Sequence, residues 1–545
     1  MRRSRPAPPQ PADFGIGWSN AECQWFLTSS GKGDVRMTAN VSATAANTAL
    51  RPRHELRMAG SAAAAWQDGR MDLDRGAGLL HRLTSYHPDR DWDVPVDDPR
   101  IRSDFTPNDW DSHPPQVKAY SSDLPVIALP RDLPPSDASA TSVLAGVDAA
   151  PKPLNVAELG RVLFLGAGVV RTSERHGRRF LFRAAGSAGA RFPLEVYAST
   201  RGVDGVPDGV HWYDPVEHAL VQVGPAAAGD ATTLIVTGIP WRTGWRYAER
   251  GFRHIYWDAG TLLSQLTGAA ASAGLDPRLC TLFPDATVRD LVNADGVNEF
   301  PVALLTLGGG RPAIEPTGPA TAGTLTPFEL PLCTEAQRAG ERTELGVPWP
   351  TATALADSPP SPTMEQIILR RGSQRKMDRT ARLPRHLLEW PMHAAMRGID
   401  VPHWVIVHAV DGVAPGVYRW PNLENALPSK ATDEEATRAE TFRICLDQDL
   451  GGDAAYVVVA AIEAAKIDDR SYREAQLAAG LVEGRLHLAA YALGATATGM
   501  TFLDSEVPTL LNASDDLVTL LFTCVGVGTY RARTGGRPGA PVKIH

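Results

Sequence analysis

Two stretches, Asp258–Leu275 (DAGTLLSQLTGAAASAGL) and Ala478–Met500 (AAGLVEGRLHLAAYALGATATGM), decide the fold. Each is a long run of small and apolar residues at helical spacing that stops at a glycine. Each is followed by an apolar strand, FPVALLTLG (300–308) after the first and LVTLLFTCVGVG (517–528) after the second. What precedes them matches too. FPLEVYAS (192–199) and GVPDGVHWYDPVEHALVQV (205–223) read as strand, Gly/Pro/Asp turn and strand, and HWVIVHAVDGVAPGVYRWPN (403–422) repeats that order, with GVHWYDP lying against GVYRWPN. Shared features in a shared order mark an internal repeat. The sequence therefore predicts two divergent copies of one α+β unit.

Length and composition agree. A chain of 545 residues, 43% hydrophobic and 21% charged, is long enough for several ordinary globular domains. A formal charge of -8 argues against a general nucleic-acid surface, although local basic clusters can still bind discrete anions. The cysteines (Cys23, Cys280, Cys333, Cys445 and Cys524) are far apart and odd in number, which fits free thiols in a reducing compartment and neither a disulfide framework nor a metal site. No apolar run approaches the roughly 18 residues of a spanning helix, and the basic start MRRSRPAPPQPADFG lacks an apolar core. A cytoplasmic protein with no membrane contact is expected.

Proline-dense segments suggest the domain plan. Residues 1–115 read as an N-terminal extension for substrate or partner recognition, 116–330 as the first copy, 331–361 as a Pro-rich linker (containing PWPTATALADSPPSP), and 362–545 as the second copy. Two glycine-rich stretches are decoys. RVLFLGAGVVRT (161–172) has Arg171 where a dinucleotide fingerprint needs its third glycine, and it continues a helical pattern; GGGRP (308–312) lacks the GK[ST] of a phosphate loop and reads as a turn.

LRRGSQR (369–375) carries chemistry. Its arginines repel one another unless an anion or carboxylates neutralise them, and guanidinium forks beside a serine hydroxyl suit phosphate.

From about residue 79 onward the chain resembles the SagB-type, thiazole/oxazole-oxidase branch of the nitroreductase superfamily, with two nitroreductase-like units fused. The resemblance rests on LLHRLTSYHP, HPPQVKAY, PVIALP, RAAGSAGARFPLEVY, DGVHWYDPVEHAL and YAERGFRHIYWDAGTLLSQL, then on LRRGSQR and LAAYALGATATGM in the second unit. It implies an α+β nitroreductase-like fold, a mixed and mainly antiparallel sheet flanked by helices, with the tandem units forming an intrachain pseudo-dimer. It also implies FMN at the interface, its phosphate gripped by an RRSxR-type clamp from one unit and its ring lying against a PSAGA-type segment from the other.

Carried onto this chain, the resemblance makes Arg370, Arg371, Ser373 and Arg375 the clamp and Gly186, Ser187, Ala188 and Gly189 the ring segment. The clamp position of the first unit reads Ser136–Thr141, SDASAT, without an arginine, and HLLEWPMHAAMRGIDVPH in the second unit has nothing like SAGA. The surviving halves are thus expected to meet at one composite site. Backbone N–H groups of the loop holding Gly494, Thr496, Thr498 and Gly499 are expected toward the flavin, with Arg531 or Arg533 nearby. A second RxSxR, Arg171–Arg175, starts too close to Ser187 for the helix that the family places between clamp and ring segment, and so reads as a decoy.

The family's Lys-Tyr pair falls on Arg246 and Tyr247. Tyr247 is the expected base, acidified by Arg246 and Arg250, because arginine itself does not give up a proton near neutrality. An FMN-dependent dehydrogenase or oxidase acting on a C–N or C–C bond, such as an azoline in a modified peptide, is the leading reading. An NAD(P)H-dependent nitro or quinone reductase and a non-catalytic scaffold for a cyclodehydratase partner stay open. A small-molecule or peptide substrate, a biosynthetic partner protein and further oligomerisation go with these readings.

Overall fold

A computed structural model describes residues 71–88 and 110–544, except 148, 176, 430, 432 and the side chain of Arg175. The described residues all belong to one compact unit. Most of the N-terminal extension, with its expected recognition role, lies outside the described residues.

The first repeat is preceded by α1 (Gly76–Thr84) and runs β1 (Val126–Ala128), α2 (Ala140–Ala145), α3 (Val156–Ala167), β2 (Val169–Arg175), β3 (Arg178–Arg183), β4 (Leu194–Thr200), β5 (Gly209–Asp214), β6 (Ala219–Gly224), β7 (Thr232–Gly238), α4 (Pro240–Tyr247), α5 (Gly251–Ser272), β8 (Pro277–Cys280), α6 (Asp285–Leu291) and β9 (Phe300–Leu307). After α7 (Pro331–Ala339) the second repeat runs α8 (Met364–Arg370), α9 (His386–Ala395), β10 (His403–Val407), β11 (Gly416–Arg419), α10 (Glu434–Ile444), α11 (Asp449–Asp453), β12 (Tyr456–Glu463), α12 (Asp469–Ala492), β13 (Thr496–Met500), α13 (Val507–Leu510), β14 (Leu517–Gly526) and β15 (Val542–Lys543).

The fold is α+β, as expected. β4–β7–β9 and β10–β12–β14 form the centres of a seven-stranded sheet (β1-β6-β5-β4-β7-β9-β8) and a five-stranded sheet (β11-β10-β12-β14-β13). Their ladders are antiparallel; among the described strands the one parallel pair is β15 with β2, which carries the end of the second repeat onto the hairpin β2–β3 of the first. The helix read from RVLFLGAG is α3, ending at Gly168 before β2 starts. Part of the segment read as linker is the helix α7. The remainder bonds to both repeats, Trp349 N–H donating to Leu279 O at 2.7 Å and Ala352 O accepting from Arg397 Nη2–H at 2.8 Å.

The repeats are joined by α5 and α12. Both are buried along nearly their whole length, so their contact has to be made by small residues. A Cβ on Gly480 would fall inside the Trp257 backbone, and one on Gly260 would fall inside the backbone of Leu477–Leu481. Gly484 meets Ser264 and Thr261 in the same way. A second, reciprocal contact repeats the relation, since Ala140 N–H donates to Pro362 O (2.9 Å) and Met364 N–H donates to Ala138 O (3.1 Å). Contacts in which each side plays both parts belong to a two-fold axis. Ser139 and Thr363, the N-caps of α2 and α8, correspond under it, each side chain accepting a first-turn N–H.

Gly480→Ala should therefore destabilise the protein by about 1–3 kcal/mol, the cost of overpacking a site with no slack. Gly309→Ala, where an added methyl meets nothing within 4 Å, should leave the melting temperature unchanged. Thermal denaturation of the two variants side by side checks this.

Candidate active site at the repeat interface

The segment Gly186–Ala190 enters the interface from the first repeat. Ser187 Oγ donates to Asp258 Oδ2 at 2.5 Å, Ala188 N–H donates to Asp258 Oδ1 at 3.0 Å, and the same serine oxygen accepts from Phe192 N–H at 2.8 Å. Asp258, on α5, thus holds the segment by side chain and backbone at once. Burial pushes its carboxyl up to about 7, against the pull of Ser187 and Ala188. Gly189 has φ +56°, and a Cβ there would strike the Tyr247 hydroxyl and lie 3.1 Å from Arg246 Cδ. Only glycine lets the expected base lie on this segment.

The structure brings Tyr247 and Arg246 to the segment, with the Arg246 guanidinium 5.9 Å from the centre of the Tyr247 ring. Arg250 does not serve Tyr247. Its guanidinium bonds Asp504 Oδ2 (2.8 Å) and Thr84 O (2.6 Å) and covers the Tyr86 ring at 3.8 Å. Burial pushes the Asp504 carboxyl up, but Arg250 and Arg253 prevail and bring it down to about 2, so Arg250 is committed to an internal ion pair. His254 instead lies against Tyr247, ring centres 4.2 Å apart, with Trp257 4.7 Å away on α5. Burial, then Arg250 and Arg253, push its pKa well below the usual value.

From the second repeat comes the clamp, which follows α8. Arg371 is 3% exposed, and a Cβ on Gly186 would sit 3.3 Å from its Nη1, so the two halves picked out in the sequence meet. Arg371 Nη2–H donates to Ala184 O at 2.5 Å, and Nη1 lies 3.5 Å from His487 Nδ1. Arg371 Nε and His487 Nε2 are buried without a partner. Burial and then the neighbouring Arg171 bring the Arg371 pKa down to about 10, so it stays cationic at neutral pH. Arg370, Ser373 and Arg375 are exposed on the same turn, Arg375 N–H donating to Tyr530 Oη at 3.1 Å.

The decoy arginine proves structural. Arg171, on β2, donates to Arg533 O (2.6 Å), Leu369 O (2.8 Å) and Arg371 O (3.1 Å), fixing the clamp backbone from the first repeat. Arg533 turns its own guanidinium to Lys543 O at 2.7 Å, away from the clamp, and Arg531 is exposed.

The glycine-rich loop is largely the edge strand β13. Gly494 makes the turn into it at φ +87°, and Thr496 Oγ1 donates to Gly526 O at 3.0 Å. Thr498 is buried. The Glu483 carboxyl lies on Gly499 so closely that a Cβ there would overlap it. Burial first, then Asp258, pushes Glu483 up to about 8, while Arg371 opposes the shift.

The pseudo-two-fold also moves one assignment. RRGSQR follows α8, so its counterpart follows α2 and is Gly146–Pro151, GVDAAP, not Ser136–Thr141. It too contains no arginine. At this second crossing the charge lies on the opposite side, because Arg485 donates to Ala395 O (3.0 Å) as Gln265 does to Ala184 O (3.3 Å), placing Arg397 where the first repeat has Gly186. Arg397 donates to Leu144 O (3.2 Å) and Ala352 O (2.8 Å), and a Cβ on Gly146 would run into its guanidinium. That crossing is filled by a side chain and by the 352–353 connection.

Sequence reasoning missed Asp258, Glu483 and His487, and read Arg171 only as part of a decoy. The first three did carry a signal, being ionisable residues inside the small-residue helices, where a buried charge needs a reason.

No protein-family model matches the sequence. The chain is 30% identical over 171 residues to MJ1384 of Methanocaldococcus jannaschii, named as a nitroreductase, a match covering 29% of this chain and 81% of that protein. It is 28% identical over 137 residues to the trifolitoxin-processing protein TfxF of Rhizobium leguminosarum bv. trifolii, covering 25% of this chain and 50% of TfxF. Among solved structures, one from Anabaena variabilis that bears a nitroreductase name superposes with a TM-score of 0.62 at 21% identity, over 83% of this chain and 99% of that one. The fold is therefore the nitroreductase fold across both repeats, and the chain belongs to the nitroreductase family.

Proposed function

We propose that this member of the nitroreductase family is an FMN-dependent oxidoreductase of the SagB type, taking two electrons from a C–N or C–C bond of a peptide-derived substrate, with an azoline as the substrate class. One observation carries the reading: Arg371 of one repeat lies buried against Gly186 of the other with its Nε unpartnered. A buried guanidinium N–H without an acceptor costs free energy unless an anion arrives. The residues present fit FMN, the cofactor that family membership implies. Arg371, Ser373 and Arg375 would hold the phosphate, and the segment Gly186 to Gly189, which lies against Arg371 at one end and Tyr247 at the other, would lie against the ring. Bound FMN would supply the two-electron acceptor.

The chain's own residues do the rest. Asp258 orients the ring segment through Ser187 and Ala188. Tyr247, with its hydroxyl on Gly189 and the Arg246 guanidinium 5.9 Å from its ring centre, would take the substrate proton. Arg171 positions the clamp backbone. The peptide assignment is supported by the likeness to TfxF, which is named for processing trifolitoxin. The likeness to MJ1384 favours a second reading, an NAD(P)H-dependent reductase, under which NADPH alone bleaches the flavin rapidly in the absence of oxygen.

Arg371→Ala with Arg375→Ala should strip FMN from a folded protein, as measured by visible absorbance and circular dichroism, because each lost charge-assisted bond removes roughly 1.5–3 kcal/mol. Arg171→Ala should lower flavin content as well, by loosening the carbonyls it holds; unchanged content would show that the clamp keeps its shape without it. Tyr247→Phe should cut turnover of an azoline peptide by roughly 100-fold with flavin content unchanged, the scale of losing a positioned base. Full activity in that variant would remove Tyr247 from the mechanism.

A further inference from the structure

We propose that His487, on α12, belongs to the phosphate site: its Nε2–H, together with Arg371 Nε–H, donates to the phosphate of the bound flavin nucleotide. The inference rests on the FMN reading of the clamp and adds to it a side chain from outside LRRGSQR. His487 is 1% exposed, and its Nδ1 lies 3.5 Å from Arg371 Nη1. Arg371 Nη1 is itself 3.3 Å from where a Cβ on Gly186 would stand, and Arg371 Nη2–H is spent on Ala184 O. One arginine thus meets both the imidazole and the ring segment of the other repeat.

The tautomer follows from the neighbour. A guanidinium offers only donors, so the imidazole nitrogen that faces it has to be the unprotonated one, and the ring proton sits on Nε2. Burial, then Arg371, takes His487 down to about 3 against the pull of the Ala497 carbonyl, so the ring is neutral and carries that one proton. Nε2–H finds no acceptor: it is buried without a hydrogen-bonding partner, Ala497 O included. Arg371 Nε–H is in the same state. Two buried, unanswered donors on neighbouring side chains cost the flavin-free protein free energy that an apolar side chain at 487 would save. A phosphate, with three strong acceptor oxygens, answers both.

The other crossing supplies the comparison. α5 and α12 pair Gly260 with Gly480, and the same register sets Thr267 in the place of His487. There Arg397 gives its guanidinium to Leu144 O and Ala352 O, and no anion is called for. The imidazole is therefore confined to the crossing whose arginine has a buried N–H to spare. A histidine kept for packing alone would have no reason to follow the unpartnered cation.

Equilibrium titration of the flavin-free, full-length protein with FMN, followed by quenching of flavin fluorescence, reads the contact, and thermal unfolding of the same flavin-free protein reads its cost. His487→Leu should weaken FMN binding at least about tenfold, the scale of one lost bond to a charged group. The same variant should unfold at or above the wild-type temperature, because it no longer buries an unanswered donor; loss of a packing residue would lower that temperature. His487→Gln, which keeps an N–H donor on a side chain of similar reach, should bind FMN within about threefold of wild type. Riboflavin, which lacks the phosphate, should bind wild type and His487→Leu alike. Unchanged FMN affinity in His487→Leu, a lowered unfolding temperature or failure to fold, no recovery in His487→Gln, or an equal loss for riboflavin and FMN each overturns the proposal and leaves the FMN reading standing. Absence of FMN binding to wild type overturns the FMN reading and this inference with it.

Discussion

Everything at the interface depends on how closely α5 and α12 approach. Gly260, Gly480 and Gly484 remove the side chains that would hold two buried helices apart, so backbone meets backbone. That closeness lets an arginine from the second repeat reach a glycine segment of the first. A crossing even one methyl wider would separate the clamp from the ring segment and dissolve the site without touching any residue in it.

The same axis generates two crossings, and the chain has resolved them in opposite ways. At one, arginine stands on the clamp side and glycine on the ring side, leaving a buried cation with an unpartnered N–H. At the other, glycine stands on the clamp side and Arg397 on the ring side, and the guanidinium is spent on the backbone carbonyls of Leu144 and Ala352. One arrangement asks for an anion; the other is complete within itself. Fusion permits this, because a symmetric dimer of identical chains would have to change both crossings together.

Much of this was legible in the sequence. The repeated order of strands and small-residue helices gave the architecture, since an alternation of burial periods survives divergence that erases individual residues. Arg371 and Gly186 were legible as partners because each repeat showed only half of a motif. The roles of Arg171 and Arg250 were not, because an arginine reads alike whether its guanidinium meets an anion, a carboxylate or a carbonyl. Arg171 turned out to hold backbone, and Arg250 an internal carboxylate. The counterpart of the clamp was placed ten residues early because proline-rich connections carry no periodicity to count along, whereas the N-caps Ser139 and Thr363 fix the register once they are seen to pair. Glu483 carried only the signal of a charge inside a small-residue helix; that its carboxyl lies on Gly499 is visible only in the fold.

The central claim is that two half-sites on one chain make a single cofactor site. Flavin released from protein reconstituted with excess FMN and freed of unbound ligand, quantified by absorbance against protein by amino-acid analysis, tests it most directly. The account predicts one FMN per 545-residue chain. A ratio near two would show that the crossing filled by Arg397 also binds, and would contradict the asymmetry on which the functional reading is built.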